Sequence, residues 1–351
     1  MQTSGSAILS SSRSTKKKNY MTKIEAARQE YKDWCSAIGI DTIEKVNEVV
    51  DSGDAIPLIN LCEARQERKY GECADQIFWR RQHSSIVMIS GPSSSGKTSS
   101  SLRIAQQCRV LGISPKVIEL DNYFFPREMT PKDENGEYDF EALGAMNIEL
   151  LNSNLNDLLA GKEVIIPKFD FKEGRTIMDP ARALKLEKHD ILFMEGIHAL
   201  NPALTYEVDQ DRIFRIYISA LNSLPGGTVE HNSTTDKRLL RRIVRDNRVR
   251  GISPEDNILR WPSVRRGETL NIFPFEENAD VVFNSSTLYD VPLLKYYAEP
   301  LLYGIAESSP AYPKAASLLE FLKRCSALKP SEIAAIPPTS IMREFIGGQT
   351  L

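Results

Sequence analysis

Eight consecutive residues, Gly91-Pro-Ser-Ser-Ser-Gly-Lys-Thr98, constrain this chain more than any other stretch. They fit the spacing Gly-x4-Gly-Lys-[Ser/Thr], with an apolar run, Ile86-Val-Met-Ile89, before them and a helix-compatible segment over about 97–111 after them. The glycines let the backbone turn until successive N–H groups converge, and the N-terminus of the following helix adds positive potential. Such a cradle holds phosphate. Lys97 is placed to neutralise β- and γ-phosphates and Thr98 to offer a hydroxyl to Mg²⁺, while Gly91, Ser93, Ser94, Ser95, Gly96 and Ser99 complete the nucleotide set. The competing reading, a Ser/Gly turn without a ligand, does not account for the strand before it and the helix after it.

The rhythm of the chain gives the fold class. Short apolar strands are predicted at 86–89, 116–120, 164–166, 190–194, 213–218 and 279–283, alternating with helices at 97–111, 141–160, 235–250, 286–305 and 311–328. Alternation of this kind predicts an α/β three-layer sandwich of the P-loop NTPase type, its mostly parallel sheet covered on both faces. Ahead of it, residues 24–82 read as a helical appendage, with Asp41-Thr-Ile-Glu44 as a capping signal. The kinase-like domain is expected over 83–329. Residues 330–351, with Pro337-Pro338 and Gly347-Gly348, read as a mostly irregular surface arm.

Composition excludes several classes. A net charge of -3 over 351 residues offers no bulk attraction to nucleic acid or anionic membrane, and no apolar run is long enough to span a bilayer. Five scattered cysteines without CxxC spacing, and four histidines without HExxH, argue against a disulfide framework or a transition-metal enzyme and for a reducing, cytoplasmic setting. The first 23 residues are Ser-rich and basic. They read as a disordered polar tail rather than a transit peptide, since the apolar face of a presequence is thin, and Met21 offers an alternative start.

Catalysis needs more than a phosphate cradle. Acidic residues follow two of the predicted strands, Asp121 and Glu195, where open parallel sheets place their chemistry. Asp121 suits a base for an attacking hydroxyl, and Glu195 a partner of Mg²⁺. Between Asp236 and Arg250 lie seven basic residues, and Arg238, Arg241, Arg242 and Arg245 share one helical face. Beside a P-loop, such a helix reads as a lid that stabilises transferring phosphate and excludes water. Arg260, Arg265 and Arg266 form a second basic cluster suited to the same task or to the acceptor. No GTPase-type NKxD segment is present.

Taken together, Gly91-Pro-Ser-Ser-Ser-Gly-Lys-Thr98, Asp121-Asn-Tyr-Phe124, Tyr138-Asp-Phe140, Ile166-Pro-Lys-Phe-Asp-Phe171, Phe193-Met-Glu-Gly196 and Asp236-Lys-Arg-Leu-Leu-Arg-Arg-Ile-Val-Arg-Asp246 resemble the uridine kinase and phosphoribulokinase family. The segments Arg260-Trp-Pro-Ser-Val-Arg-Arg-Gly-Glu268 and Pro337-Pro-Thr-Ser-Ile-Met-Arg-Glu-Phe-Ile-Gly-Gly348 are similar to its uridine kinase-like bacterial nucleoside kinases, whose longer members carry an N-terminal sulfur-carrier-like domain with no counterpart here. The resemblance implies Asp121 as base, Asp139 as a ribose contact, Arg242, Arg245 and Arg250 as lid arginines, and Phe169 as the aromatic under the nucleoside. Tyr123, Arg175 and Arg260 join the expected substrate contacts and Arg241 the expected nucleotide contacts. Lys172-Glu-Gly-Arg175 replaces the family's base-reading histidine, Ile252 stands where a further arginine is usual, and Arg260 replaces a glutamine. A site lacking the groups that read one base discriminates poorly for it.

The expectation is an ATP- and Mg²⁺-dependent kinase acting on a small-molecule hydroxyl, most readily the 5′-hydroxyl of uridine or cytidine, in a chain that is a monomer or homo-oligomer. A kinase of another polyol or sugar phosphate, or an ATP-binding regulator without catalysis, are the alternatives. Joint retention of Lys97, Thr98, Asp121 and Glu195 speaks against the last.

Overall fold

The computed structural model describes residues 21–132, 134, 136, 138–221 and 234–351, so most of the expected N-terminal tail lies outside the described residues. Three helices open the chain: α1 (Lys23–Ala37), α2 (Ile43–Ser52) and α3 (Ala55–Arg80). The core begins with β1 (Ile86–Ser90), α4 (Lys97–Val110), β2 (Ser114–Glu119) and α5 (Ile148–Leu159). Two short antiparallel pairs follow from β3 (Val164–Ile165), β4 (Lys168–Asp170), β5 (Arg175–Ile177) and β6 (Ala183–Leu184). Then come β7 (Asp190–Glu195), β8 (Ile213–Ser219), α6 (Thr234–Val249), α7 (Pro254–Asn271), β9 (Val281–Asn284), α8 (Asp290–Tyr303), α9 (Tyr312–Lys323), α10 (Pro330–Ala334) and α11 (Arg343–Ile346).

The main sheet has the order β2-β7-β1-β8-β9 and every pairing in it is parallel, as the sequence predicts. Its period-two pattern splits the strand residues between two faces. Ile86 and Met88 face α5 in one apolar cluster, whereas Val87 and Ile89 face α3 and α4 in another. β2 lies at the sheet edge, where Pro115 costs no ladder bond in a central strand. Because all five strands run the same way, the residues following β1, β2 and β7 emerge on one rim. Glu195 sits there between Ile89 and Glu119 in direct register.

Some boundaries and roles differ from expectation. The helix predicted over 141–160 starts at Ile148, because Asn147 caps it by accepting the Leu150 N–H at 3.0 Å. Residues 254–271 form a helix that the predicted elements do not include. α7 runs through Pro262, and its buried Ile258, Trp261 and Val264 pack into the cluster around α6.

Residues 24–82 are a layer of the core rather than an appendage. α3, about 39 Å long at 1.5 Å per residue, places Leu58, Ile59 and Cys62 in the cluster with α6, α8 and α9 and Tyr70, Cys73, Ala74 and Ile77 against the sheet. The surface arm expected at 330–351 is corrected more sharply: Ile336, Ile341, Met342, Phe345 and Ile346 are buried. Prolines and glycines there broke the helical period without making the segment polar. All five cysteines are buried and free, and among the described residues no helix is long and apolar enough to cross a membrane.

Candidate active site

The loop between β1 and α4 has the backbone its sequence demands. Gly96 has φ +85°, and Ser94, at φ +57°, is the non-glycine residue found at positive φ among the described residues. Left-handed residues of this kind fold N–H groups into a concave nest that suits an anion, and the strain of holding a serine there is characteristic of a ligand clamp. Gly91 cannot be replaced, because a Cβ would stand 2.0 Å from the Ile218 carbonyl oxygen. The Ser94 and Ser95 hydroxyls are buried without a hydrogen-bond partner, as groups awaiting phosphate oxygens would be.

Opposite the loop, the Thr98 hydroxyl lies 3.4 Å from Glu195 Oε1, while Oε2 of the same carboxylate is buried without a partner. An orphaned carboxylate oxygen beside a hydroxyl fits a hard divalent cation such as Mg²⁺, which takes oxygen donors. Burial pushes Glu195 up to about 7, opposed by Lys97 and reinforced by Asp121. Asp121, on the turn after β2, is likewise raised by burial, with Lys97 and Arg250 pulling it down. A third carboxylate joins them. Glu141 is pushed up to about 7 by burial, moderated by Arg242 and Lys97. Lys97 therefore acts on Asp121, Glu141 and Glu195 alike.

α6 supplies the cations. Arg242 donates to the Ser93 hydroxyl at 3.0 Å and to Asn257 Oδ1 at 3.1 Å. Asp246, fully buried, gathers the neighbours: Arg245 Nε at 2.8 Å, Arg242 Nε at 3.4 Å and Arg250 Nη1 at 3.6 Å. One carboxylate thus gathers three arginines.

Residues 86–292 match the profile of the Phosphoribulokinase / Uridine kinase family, a span that contains the loop, all three carboxylates and the arginine helix. The chain belongs to the phosphoribulokinase / uridine kinase family. It is accordingly a kinase, a phosphotransferase acting on a hydroxyl. It is 30% identical over 198 residues to a uridine kinase of Macrococcus caseolyticus (strain JCSC5402), covering 56% of this chain and 86% of that protein. It is 30% identical over 199 residues to a uridine kinase of Staphylococcus aureus (strain JH9), with the same coverage. A solved structure described as a possible uridine kinase from Bacillus stearothermophilus is 18% identical, with 60% of this chain and 97% of that one covered and a TM-score of 0.37.

Within this phosphoribulokinase / uridine kinase chain, several residues read from sequence fall elsewhere. Arg241, expected at the nucleotide, is fully buried and spends its guanidinium on Asp290 at 2.6 Å and the Ser285 carbonyl at 3.0 Å. Arg238 is also buried, bound to both oxygens of Glu268 and to the Ser93 carbonyl at 3.0 Å. Two of the four are therefore structural, and Arg242 and Arg245 alone of the four keep partial exposure. Tyr123, expected among the substrate contacts, is 1% exposed, and its hydroxyl accepts from Asn154 Nδ2 at 3.2 Å. Phe169 is buried edge-on against Phe124 and Phe171. Arg175 is exposed opposite Asp170 in the β4–β5 hairpin, and Arg260 is exposed on α7. The second basic cluster is split, since Arg265 turns inward to Glu268 at 2.6 Å.

Three residues escaped the sequence reading. Asp139 accepts the Glu141 N–H at 3.1 Å, so the carboxylate presented to Arg242 and Asp121 is that of Glu141, two positions on. Asp246 was noted only as an acid among arginines. Glu344 lies in the supposed arm, yet accepts from the Ser99 hydroxyl at 2.5 Å.

Proposed function

We propose that the chain transfers the γ-phosphoryl group of ATP to the 5′-hydroxyl of a nucleoside, uridine or cytidine being the first candidates, in a cytoplasmic setting that keeps its thiols reduced. The Thr98 hydroxyl beside the buried Glu195 carboxylate, with Asp121 and Glu141 buried in the same electrostatic reach of Lys97, is the observation that supports this reading. A pure nucleotide binder has no use for a buried carboxylate whose proton affinity is raised.

In this reading the loop amides and Lys97 hold the phosphates, and Ser93, Ser94 and Ser95 fix their orientation. Thr98 and Glu195 would hold Mg²⁺, which when bound would neutralise phosphate charge. Asp121 orients the acceptor hydroxyl and takes its proton as the oxygen attacks phosphorus. A raised affinity for protons suits it to that task near neutral pH. Arg242 and Arg245, fixed by Asp246, face the charge that spreads over the phosphoryl oxygens, while Glu141 and Arg250 contact acceptor hydroxyls.

The segment Lys172-Glu-Gly-Arg175 at the tip of the β4–β5 hairpin, where Lys172, Glu173 and Arg175 are exposed, favours a second reading in which the acceptor is a polyol or sugar phosphate. A panel decides between them. Protein incubated with Mg²⁺ and ATP against nucleosides, polyols and sugar phosphates should release ADP with uridine or cytidine. Turnover confined to sugar phosphates selects the second reading, and none on any acceptor removes both.

A further inference from the structure

The C-terminal segment does more than fill a hydrophobic cluster. Ile341 stands beneath the phosphate loop so closely that a Cβ on Gly96 would meet its Cδ1 at 2.2 Å. Glu344 Oε2 accepts from the Ser99 hydroxyl at 2.5 Å and from the Ser99 N–H at 3.4 Å, and Gln349 Nε2 donates to the same hydroxyl at 2.7 Å. On the other side, Arg248 of α6 donates to the carbonyls of Phe345 and Glu344, each at 3.2 Å. The segment thus touches the first turn of α4 and the lid helix at once.

Ser99 is the third residue of α4, so its N–H has no intrahelical acceptor and is one of the first-turn amides that a Gly-x4-Gly-Lys-[Ser/Thr] loop makes available to nucleotide phosphates. Two carboxylates take amides of this loop, and they differ in charge balance. Glu268, on the Ser93 N–H at 3.0 Å, is neutralised by Arg238 and Arg265. No ion pair to Glu344 is found among the described residues. Its charge faces the loop uncompensated, close enough to add to the field on Glu195.

We propose that Glu344 is an affinity-setting residue of the nucleotide site, whose carboxylate holds the Ser99 donors that a nucleotide phosphate requires and is exchanged for that phosphate on binding. This rests on the nucleotide reading given above. Carboxylate and phosphate are both anions and cannot share one N–H and one hydroxyl. Binding therefore releases Glu344 from Ser99, and Gln349 with it, and the change passes through 343–349 to Arg248 on the lid.

Glu344→Gln keeps the length and an accepting oxygen but removes the charge. Calorimetric titration of the full chain with Mg²⁺-ADP should show binding tightened on the order of tenfold in the variant, as expected when a like charge near the phosphate is removed. Unchanged or weaker binding overturns the proposal. A second measurement needs no variant. Hydrogen exchange of peptides covering 343–349 should quicken on saturation with Mg²⁺-ADP, and unchanged or slower exchange contradicts the release. If wild type and variant both fail to bind, the nucleotide reading itself falls and this proposal with it; failure of the variant alone to bind more tightly sinks only the role of Glu344.

Discussion

The Thr98 hydroxyl stands 3.4 Å from the Glu195 carboxylate, joining the start of α4 to the end of β7 across 97 residues of sequence. Parallel register produces this meeting, because β1 and β7 pair side by side and both end on the same rim. Thr98→Ala should leave the fold intact, since Thr98 is exposed, and should raise the Mg²⁺ concentration needed for half-maximal turnover. Glu195→Gln should lower turnover by about 10²- to 10³-fold, as loss of one electrostatic partner of the reacting centre does. Metal titrations of turnover check both.

The pair Arg241 and Arg242 separates structure from catalysis on adjacent residues. Arg241→Met removes the nearer of two buried cations on Asp290 and leaves Lys237 Nζ at 3.5 Å, so the loss should approach but not exceed the roughly 3–5 kcal/mol for breaking a buried pair. Arg242→Met should cost far less stability, because Arg242 is partly exposed, yet it should cut turnover. Urea unfolding alongside steady-state kinetics checks the contrast. Equal stability losses would contradict the assignment.

Asp246 offers a test of the lid. Asp246→Asn removes the charge that aligns Arg242, Arg245 and Arg250 while keeping the side chain's size. Turnover should fall by about one to two orders of magnitude, since misplacement of a charged partner alone costs that much. The variant's urea midpoint should also drop, because three guanidinium groups lose one buried partner.

Stability should depend on pH with a defined sign. Glu141 and Glu195 are both pushed up to about 7 from an ordinary value of 4.5, so between those limits the folded chain binds more protons than the unfolded one. Their contribution to stability therefore falls as pH rises from 4.5 through 7. In metal-free buffer the thermal midpoint of the wild type should decline across this window more steeply than that of a Glu141→Gln, Glu195→Gln double variant. Parallel slopes would contradict the raised proton affinities.

Much of this was legible in the sequence, for identifiable reasons. The loop at 91–98 and the strand-terminal acids Asp121 and Glu195 depend on local spacing, and the sheet on the alternation of apolar strands with helices. What escaped depends on tertiary placement. Helical spacing put Arg238, Arg241, Arg242 and Arg245 on one face, but only packing against Glu268 and Asp290 shows that two of the four are structural. The turn Asp139 makes with the Glu141 N–H decides which of two neighbouring acids faces the site. α7 was hidden by Pro262, and the tail by prolines and glycines that break a period without exposing Ile341 or Phe345.

One substitution separates Asp121 as the base of phosphoryl transfer from Asp121 as a passive neighbour of the phosphate loop. With the best acceptor from the panel, single-turnover phosphoryl transfer by wild type and Asp121→Asn should be measured at saturating Mg²⁺-ATP, with nucleotide affinity determined on the same samples. The transfer rate should fall by about 10²- to 10⁴-fold, the usual contribution of a general base, with nucleotide affinity nearly unchanged. Transfer by Asp121→Asn at the wild-type rate would contradict that role.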